Sequence, residues 1–213
     1  MTSISDSDVQ FRQLGKQDAL RAQQLRDVSD LIYTTDDYIY PAMFSEKKDA
    51  LLMIPEMFRM RDEMFRTEHL FAAFIGDRIA ALILWKRGAM SWTSAVYENA
   101  AQRLGIVPSQ YLDRVKTEYF ASYSETGADT VAIINVSVSA QLRGAGLGRR
   151  MLSAFLRKTE DLCSQYELFV LADNQPAYKL YTGAGFQVTE TLQGFSIESR
   201  DLPCYRMLRR GAG

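Results

Sequence analysis

One histidine and two cysteines are all the imidazole and thiol ligands that 213 residues offer a metal. Cys163 and Cys204 stand at no metal-ligand spacing, so a zinc site of the usual local pattern is excluded and no metal is expected. A charge of one sign is also missing: 25 basic residues face 26 acidic ones, for a formal net charge of -1. That balance removes the electrostatic reason to expect nucleic acid or an acidic membrane as a partner. Long apolar runs are absent too, because Leu70–Ile75 and Ile79–Trp85 are separated by Gly76-Asp77-Arg78 and neither is long enough to span a bilayer. The opening "MTSISDSDVQ" has neither the basic start nor the apolar stretch of a secretory signal. The expectation is a cytoplasmic protein with free thiols.

What is present is the composition of a globular protein with a real core, 47% apolar and 24% charged. "VQFRQL" alternates as a strand, and "QDALRAQQLRDVSDLIY" carries Ala19, Leu20, Ala22, Leu25, Val28, Leu31 and Ile32 on one helical face, with a start at Gln17 or Asp18. "KKDALLMIPEMFRMRDEMF" reads as a helix kinked or broken at Pro55. "HLFAAFIGDRIAALILWKRG" reads as a hairpin of two central strands. Residues 89–128 hold two helical stretches, "SAVYENAAQRLG" and "SQYLDRVKTEYFASY", read as an insertion between strands. A strong strand, "TVAIINVSVS", leads into a glycine-rich turn and a helix from about Gly148 to Cys163, with Met151, Leu152, Phe155, Leu156, Leu162 and Cys163 as its apolar stripe. "YELFVLA", a short helix over "QPAYKLYTGAG", and the strands "FQVTETLQGFSI" and "PCYRMLRR" complete the chain. The sum is a single α+β domain over 1–213, layered, with about seven strands and a helical insertion at about 89–128.

The chemistry concentrates in "VSVSAQLRGAGLGRRML", where Gly144, Gly146 and Gly148 alternate at the mouth of a helix. Such a turn offers bare amides to phosphate oxygens at the positive end of the helix dipole. The nucleoside-triphosphate loop fails here because Arg149-Arg150 follow the last glycine, and the dinucleotide fingerprint fails because Arg149 stands three after Gly146. A third pattern, Arg/Gln-x-x-Gly-x-Gly/Ala, fits at Arg143–Gly148 and again at Gln141–Gly146. This segment resembles the pyrophosphate loop of the GNAT superfamily of CoA-dependent N-acetyltransferases. Downstream, "NQPAYKLYTGAGF" is similar to that family's Asn-x-x-Ala-x-x-Leu-Tyr-x-x-x-Gly-Phe signature, matching at Asn174, Ala177, Leu180, Tyr181, Gly185 and Phe186. Ser139-Ala140-Gln141 stand where the family often has proline, and the insertion departs from its usual short turn.

The resemblance implies a mixed, mostly antiparallel twisted sheet with helices on both faces and strands splayed at the cofactor site. It implies acetyl-CoA as co-substrate, with its pantetheine arm held by the main chain at Val136 and Val138, and its pyrophosphate on the amides of Arg143, Gly144, Ala145, Gly146, Leu147 and Gly148. Asn174 is implied as a pantetheine ligand, with turn capping as its competing role, and Tyr181 as cofactor contact and general acid to the departing thiolate, with core packing as its competing role. Arg149 and Arg150 either add charge near the phosphates or form a solvated helix face. The implied reaction is acetyl transfer to a primary amine of a small molecule or peptide. The alternatives are a non-catalytic acyl-CoA-binding or sensing module and a transferase of a longer acyl chain.

"YTTDDYIYPAMF" supplies Asp36, Asp37, Tyr38 and Tyr40 as candidate ligands of a cationic amine, against the simpler role of a packed helix end. Met53, Met57, Met60 and Met64 fall near one helical face and make either an adaptable wall or core. The base is left open among Asp36, Asp37, Glu68 and a water chain, and His69 reads as structural. The insertion is expected beside the acceptor cleft, as a lid or an oligomer contact such as that of a homodimer.

Overall fold

The computed structural model describes residues 8–61, 63–89, 94–197 and 200–211. Residues 90–93 of the expected insertion and the first seven residues lie outside that set. Seven strands form one sheet in the order β1-β2-β3-β4-β5-β7-β6: β1 (Val9–Gln13), β2 (Leu70–Ile75), β3 (Arg78–Arg87), β4 (Thr130–Val138), β5 (Gln165–Leu171), β6 (Gln187–Ile197) and β7 (Arg200–Arg210). All neighbours pair antiparallel except β4 and β5.

The strands divide the core because alternate residues face opposite sides. Leu70, Ala72 and Phe74 of β2 join a cluster with α1 (Ala22–Tyr33), α2 (Ile39–Phe44), α3 (Lys47–Met60) and α4 (Ser94–Leu104), while Phe71 and Ala73 join α6 (Leu147–Thr159) and α7 (Gln175–Gly183) on the other side. Between α4 and β4 the chain forms a short α5 (Leu112–Arg114), a π-helical turn at Val115–Tyr119 and a tighter one at Phe120–Glu125.

Several local expectations shift. Helix α1 begins at Ala22 rather than at residue 17 or 18, where the Gln24 side chain reaches back to accept the Arg21 amide at 3.0 Å. Ala19 and Leu20 therefore precede the helix. Helix α3 carries through Pro55 without a break, giving up one intrahelical hydrogen bond there. Leu162 is 41% exposed and leaves the α6 stripe, which ends in a tight turn at Glu160–Leu162. Met53, Met57 and Met64 are fully buried and Met60 packs on the same cluster, so the methionines are core.

The insertion is integral to that core. Tyr97, Ala100 and Ala101 of α4, and Val115, Phe120 and Tyr123 beyond it, are all within 1% of full burial. Its Thr126 hydroxyl donates to the buried Glu167 carboxylate of β5 at 2.6 Å, which Arg206 of β7 also engages.

Candidate active site

The sheet opens between β4 and β5. Their parallel pairing runs only from Thr130↔Gln165 to Ile133↔Leu168, which leaves residues 134–138 of β4 without a neighbour on that side. The opening coincides with a bulge against β3, where Leu84 pairs Asn135, Trp85 pairs Ile133, and Ile134 is the extra residue. Beyond the bulge, the Ser139 amide donates to Ala80 O at 2.9 Å, and Val138 and Val136 lie opposite Ala81 and Ile83. Antiparallel pairing alternates hydrogen-bonded and open positions, so the N–H and C=O groups of Val136 and Val138 point away from β3 into the opening. The Val138 carbonyl confirms that direction by accepting the Arg143 Nε at 3.0 Å.

At the end of β4 the chain turns through Ala140–Leu142 into the glycine loop. Gly144 (φ +80°) and Gly146 (φ +79°) are left-handed, and a Cβ on either would meet nothing within 4 Å. The amides of Gly144 through Gly148 have no acceptor among the described residues, which gives five consecutive donors at the head of α6. Arg143 is spent differently: its amide leans on Ala140 O at 3.4 Å and its guanidinium spans from Val138 O to Thr34 O, tying β4 to the end of α1. Gly148 is helical, and a Cβ there would make ordinary contacts with Val138 Cγ2 at 3.4 Å and Leu180 Cδ2 at 3.8 Å.

A cavity of about 670 Å³ joins these features. It brings together Val136, Val138, Arg143, Gly144, Gly146, Leu147, Gly148 and Asn174 from the expected cofactor set, and Asp36, Asp37 and Tyr38 from the expected acceptor set. Ala145, Tyr181 and Tyr40 do not line it. Tyr40 is 2% exposed in the core, where its hydroxyl donates to Asn135 Oδ1 at 2.8 Å and burial pushes its pKa up. Tyr181 is 7% exposed, packs edge-on against Phe186 at 6.0 Å between ring centres, and makes no side-chain hydrogen bond among the described residues. Burial alone raises its pKa, and it lies near enough to Tyr123 of the insertion to raise that residue's pKa as well.

Asn174 caps α7, its Oδ1 accepting the Ala177 amide at 3.2 Å, with Pro176 in the first turn and Gly185 (φ +88°) just past the end. Asp36 accepts the Tyr38 amide at 2.8 Å and also the Ile39 amide, both on Oδ1, and so starts α2. It is enclosed while keeping an edge on the cavity, and desolvation raises its carboxyl to about 6 against those stabilising bonds. Asp37 is exposed beside it. The Arg200 guanidinium covers the Tyr38 ring at 4.5 Å and pairs with Asp173 at 3.0 Å, so the start of β7 reaches across to the same wall. Glu68 pairs with Arg61 at 3.1 Å and His69 leans on Met64 O at 3.2 Å, and neither lines the cavity. Arg149 lines both this cavity and a second one of about 360 Å³ between α6 and α7, whereas Arg150 stacks on Phe11 at 5.6 Å.

Sequence reasoning passed over Ser137, Thr34, Thr35, Asp173 and Lys179, which also line the cavity. Asp173 and Lys179 flank or sit within the Asn174–Phe186 segment, so the motif itself pointed at them; Ser137 had no local signal. Among the described residues no cluster of three or more metal-ligating side chains occurs, and no helix is long and apolar enough to cross a membrane.

Residues 37–186 match the model of the acetyltransferase (GNAT) family. No curated protein matches the chain in sequence. Among solved structures, an N-acetyltransferase from Staphylococcus aureus Mu50 is similar at a TM-score of 0.61 and 16% identity, over 94% of this chain and 100% of that one. The structure of yncA from Salmonella typhimurium with its cofactor acetyl-CoA aligns at 0.55 and 13% identity, over 95% and 94% of the two chains. The NatC complex bound to Gag peptide and CoA aligns at 0.54 and 11% identity, over 95% and 98%. At these identities the likeness is one of fold.

Proposed function

Because the chain belongs to the acetyltransferase (GNAT) family, we propose that it transfers an acetyl group from acetyl-CoA to a primary amine of a small molecule or peptide, as a single cytoplasmic domain. The observation that carries this reading is the run of five unsatisfied amides at Gly144–Gly148, on a cavity that continues along the outward-facing backbone of Val136 and Val138. Bare left-handed glycines with open space in front fit a pyrophosphate, and a strand edge with no neighbour fits an amide-bearing arm that pairs as another strand would.

Acetyl-CoA supplies the activated acyl group and a thiolate leaving group. The chain's residues do the rest. The Val136 and Val138 amides are donors placed for the arm and the carbonyl oxygen, and a donor aimed at developing negative charge favours the transition state over the ground state. Asp36 and Asp37 would hold the ammonium form of the acceptor, which gives one proton to a carboxylate of that wall or to water before its nitrogen bonds to the carbonyl carbon; as the C–S bond breaks, the same nitrogen loses a second proton to solvent. Tyr181 donates its phenolic proton to the sulfur. A phenol made less acidic by burial is matched to this task only if the thiolate is desolvated in the same place, since burial raises the basicity of both. Arg143 and Asn174 act by position: one ties β4 to α1, the other fixes the start of the helix that carries Tyr181.

The test is a panel of small amines, polyamines, amino acids and peptides with acetyl-CoA, followed by thiol release. Acceptor-dependent thiol release supports transfer. Tight CoA binding with no acetylated amine would instead identify an acyl-CoA-sensing module. The buried methionines offer no lining for a longer acyl chain.

A further inference from the structure

The backbone on both sides of the opened sheet favours closing it. Hydrogen-bonded positions between β5 and β7 alternate from Ser164, whose carbonyl accepts the Gly211 amide at 2.8 Å, to Ala172, whose amide donates to Pro203 O at 2.8 Å. The odd-numbered residues between them therefore turn their N–H and C=O groups toward β4. Beyond the last rung, Ile133↔Leu168, the Phe169 carbonyl and the Leu171 amide face the outward groups of Val136 and Val138 across the gap. Unpaired strand edges readily pair with another edge, so a gap within one sheet needs something to hold it.

Tyr123 stands at that fork. Its hydroxyl donates to Ile133 O at 3.4 Å, the carbonyl of the last paired residue of β4. Its ring meets Phe169, the first residue past the rung on β5, edge-on at 4.7 Å between ring centres. One fully buried side chain thus touches both strands where they part, from the side of the sheet that carries α1–α4. It is also held from behind. Its oxygen accepts a hydrogen bond from Tyr119, one turn earlier, whose ring lies 6.2 Å away. Three residues on, the Thr126 hydroxyl is anchored on Glu167, two residues before Phe169 and on the same face of β5. The segment from Tyr119 to Thr126 is tied to both strands, which fixes their separation at the rung.

We infer that Tyr123 is a positioning residue for the acyl donor: it ends the β4–β5 ladder at Ile133 and keeps the Val136–Val138 edge open to the pantetheine arm. This rests on the acetyl-CoA reading and deepens it. An arm that pairs as another strand needs its neighbours about 10 Å apart rather than about 4.8 Å. The bulge at Ile134 turns the Val136 and Val138 groups outward, but it lies between β4 and β3 and does not set that width. The glycine loop lies beyond the end of β4, so a change at Tyr123 reaches the arm and spares the phosphates.

The test titrates CoA and 3′-phospho-ADP, the same nucleotide without its arm, into the wild-type full chain, Tyr123→Phe and Tyr123→Leu. Amide hydrogen exchange is followed before either nucleotide is added. Tyr123→Phe keeps the ring and loses the hydroxyl, and Tyr123→Leu keeps an apolar side chain for folding while losing both contacts. CoA affinity is expected to fall about ten-fold in Tyr123→Phe, the worth of one hydrogen bond, and further in Tyr123→Leu. All three proteins should bind 3′-phospho-ADP alike. The Val136, Val138 and Leu171 amides should exchange about ten-fold more slowly in both variants as the strands close up. An equal loss for the two nucleotides would make Tyr123 a general support of the fold and overturn the inference, as would unchanged CoA affinity or exchange that is unchanged or faster. Should CoA fail to bind wild type, the acetyl-CoA reading fails and exchange alone decides: slower exchange in the variants supports Tyr123 as the residue that holds the strands apart, and unchanged or faster exchange refutes it.

Discussion

Gly146→Ala separates two uses of glycine that a static loop combines. Gly146 has φ +79° and ψ near zero at the N-cap of α6, a conformation that costs an L-residue about 1–2 kcal/mol. The new methyl meets no protein atom within 4 Å, so strain is the whole effect on the empty protein. For a chain of this length the thermal midpoint should fall by about 2–8 °C, well inside the usual stability margin. The methyl points into the space where the phosphates are proposed to approach the Gly144–Gly148 amides. Loss of one charge-assisted hydrogen bond there would weaken CoA by about ten- to a hundred-fold, and Gly146→Val, with a bulkier branched side chain, should abolish binding. The assay is calorimetric titration of CoA beside thermal unfolding without it. Gly148→Ala is the control: its methyl makes ordinary contacts with Val138 and Leu180 and leaves the amide in place, so CoA affinity should change little. If Gly146→Ala lowers the midpoint as calculated but binds CoA like wild type, the glycine serves only the turn, and the loop is not the phosphate site.

Tyr181→Phe should lower turnover about a hundred-fold or more while leaving CoA affinity and stability near wild type, because the hydroxyl has no hydrogen bond to lose; unchanged turnover would remove Tyr181 as the acid. Asp36, raised to about 6, should give amine turnover that climbs through that pH as the carboxylate forms, with Asp37, Tyr40, Tyr119 and Cys204 as the other groups sharing its field. The linkage sign is the reverse of a salt-bridged carboxylate: the fold binds this proton more tightly than the unfolded chain, so its stabilising effect is greatest at low pH and is lost as pH rises through about 6. Asp36→Asn keeps an oxygen for the α2 amides and should flatten both profiles, and a pH–rate limb that persists in Asp36→Asn would assign it to another group. Asp27→Ala should cost about 2 kcal/mol in denaturant unfolding, because the 7%-exposed carboxylate holds both the Arg78 guanidinium and the Ile79 amide and so docks α1 on the β2–β3 hairpin. A change near zero would mean that the hairpin and helix are positioned by apolar packing alone.

What the sequence made legible was local. The alternation of β4, the glycines after it and the Asn174–Phe186 segment each encode their conformation within a few residues, and the structure has the strand, the turn, the α7 cap and the left-handed Gly185 at those positions. The β5-β7-β6 order and the bulge at Ile134 depend on partners far along the chain and left no comparable mark, and the break in pairing after Ile133 was implied only by the family resemblance. Tyr40 illustrates the difference. Its neighbours Asp36 to Tyr38 do line the cavity, yet α2 starts at Ile39 and turns Tyr40 inward to Asn135, 95 residues away.

The insertion shows how far a boundary read from sequence differs from one read from packing. Two helices between strands suggest a removable lid, and deleting them suggests a test of acceptor choice. In the structure the fully buried Tyr97, Val115, Phe120 and Tyr123 belong to the same cluster as α1–α3, and burying such side chains is worth roughly 1.5–3 kcal/mol each. Deletion would expose that face and unfold the protein before it reported on specificity. Tyr119 shares a third cavity, of about 180 Å³, with Phe169 and Cys204, and Tyr123 stacks edge-on against Phe169 at 4.7 Å while lying near Tyr181. Among the described residues none of the insertion lines the 670 Å³ cavity, so the segment supports the α1–α2 side of the opened sheet from within the core rather than covering the opening.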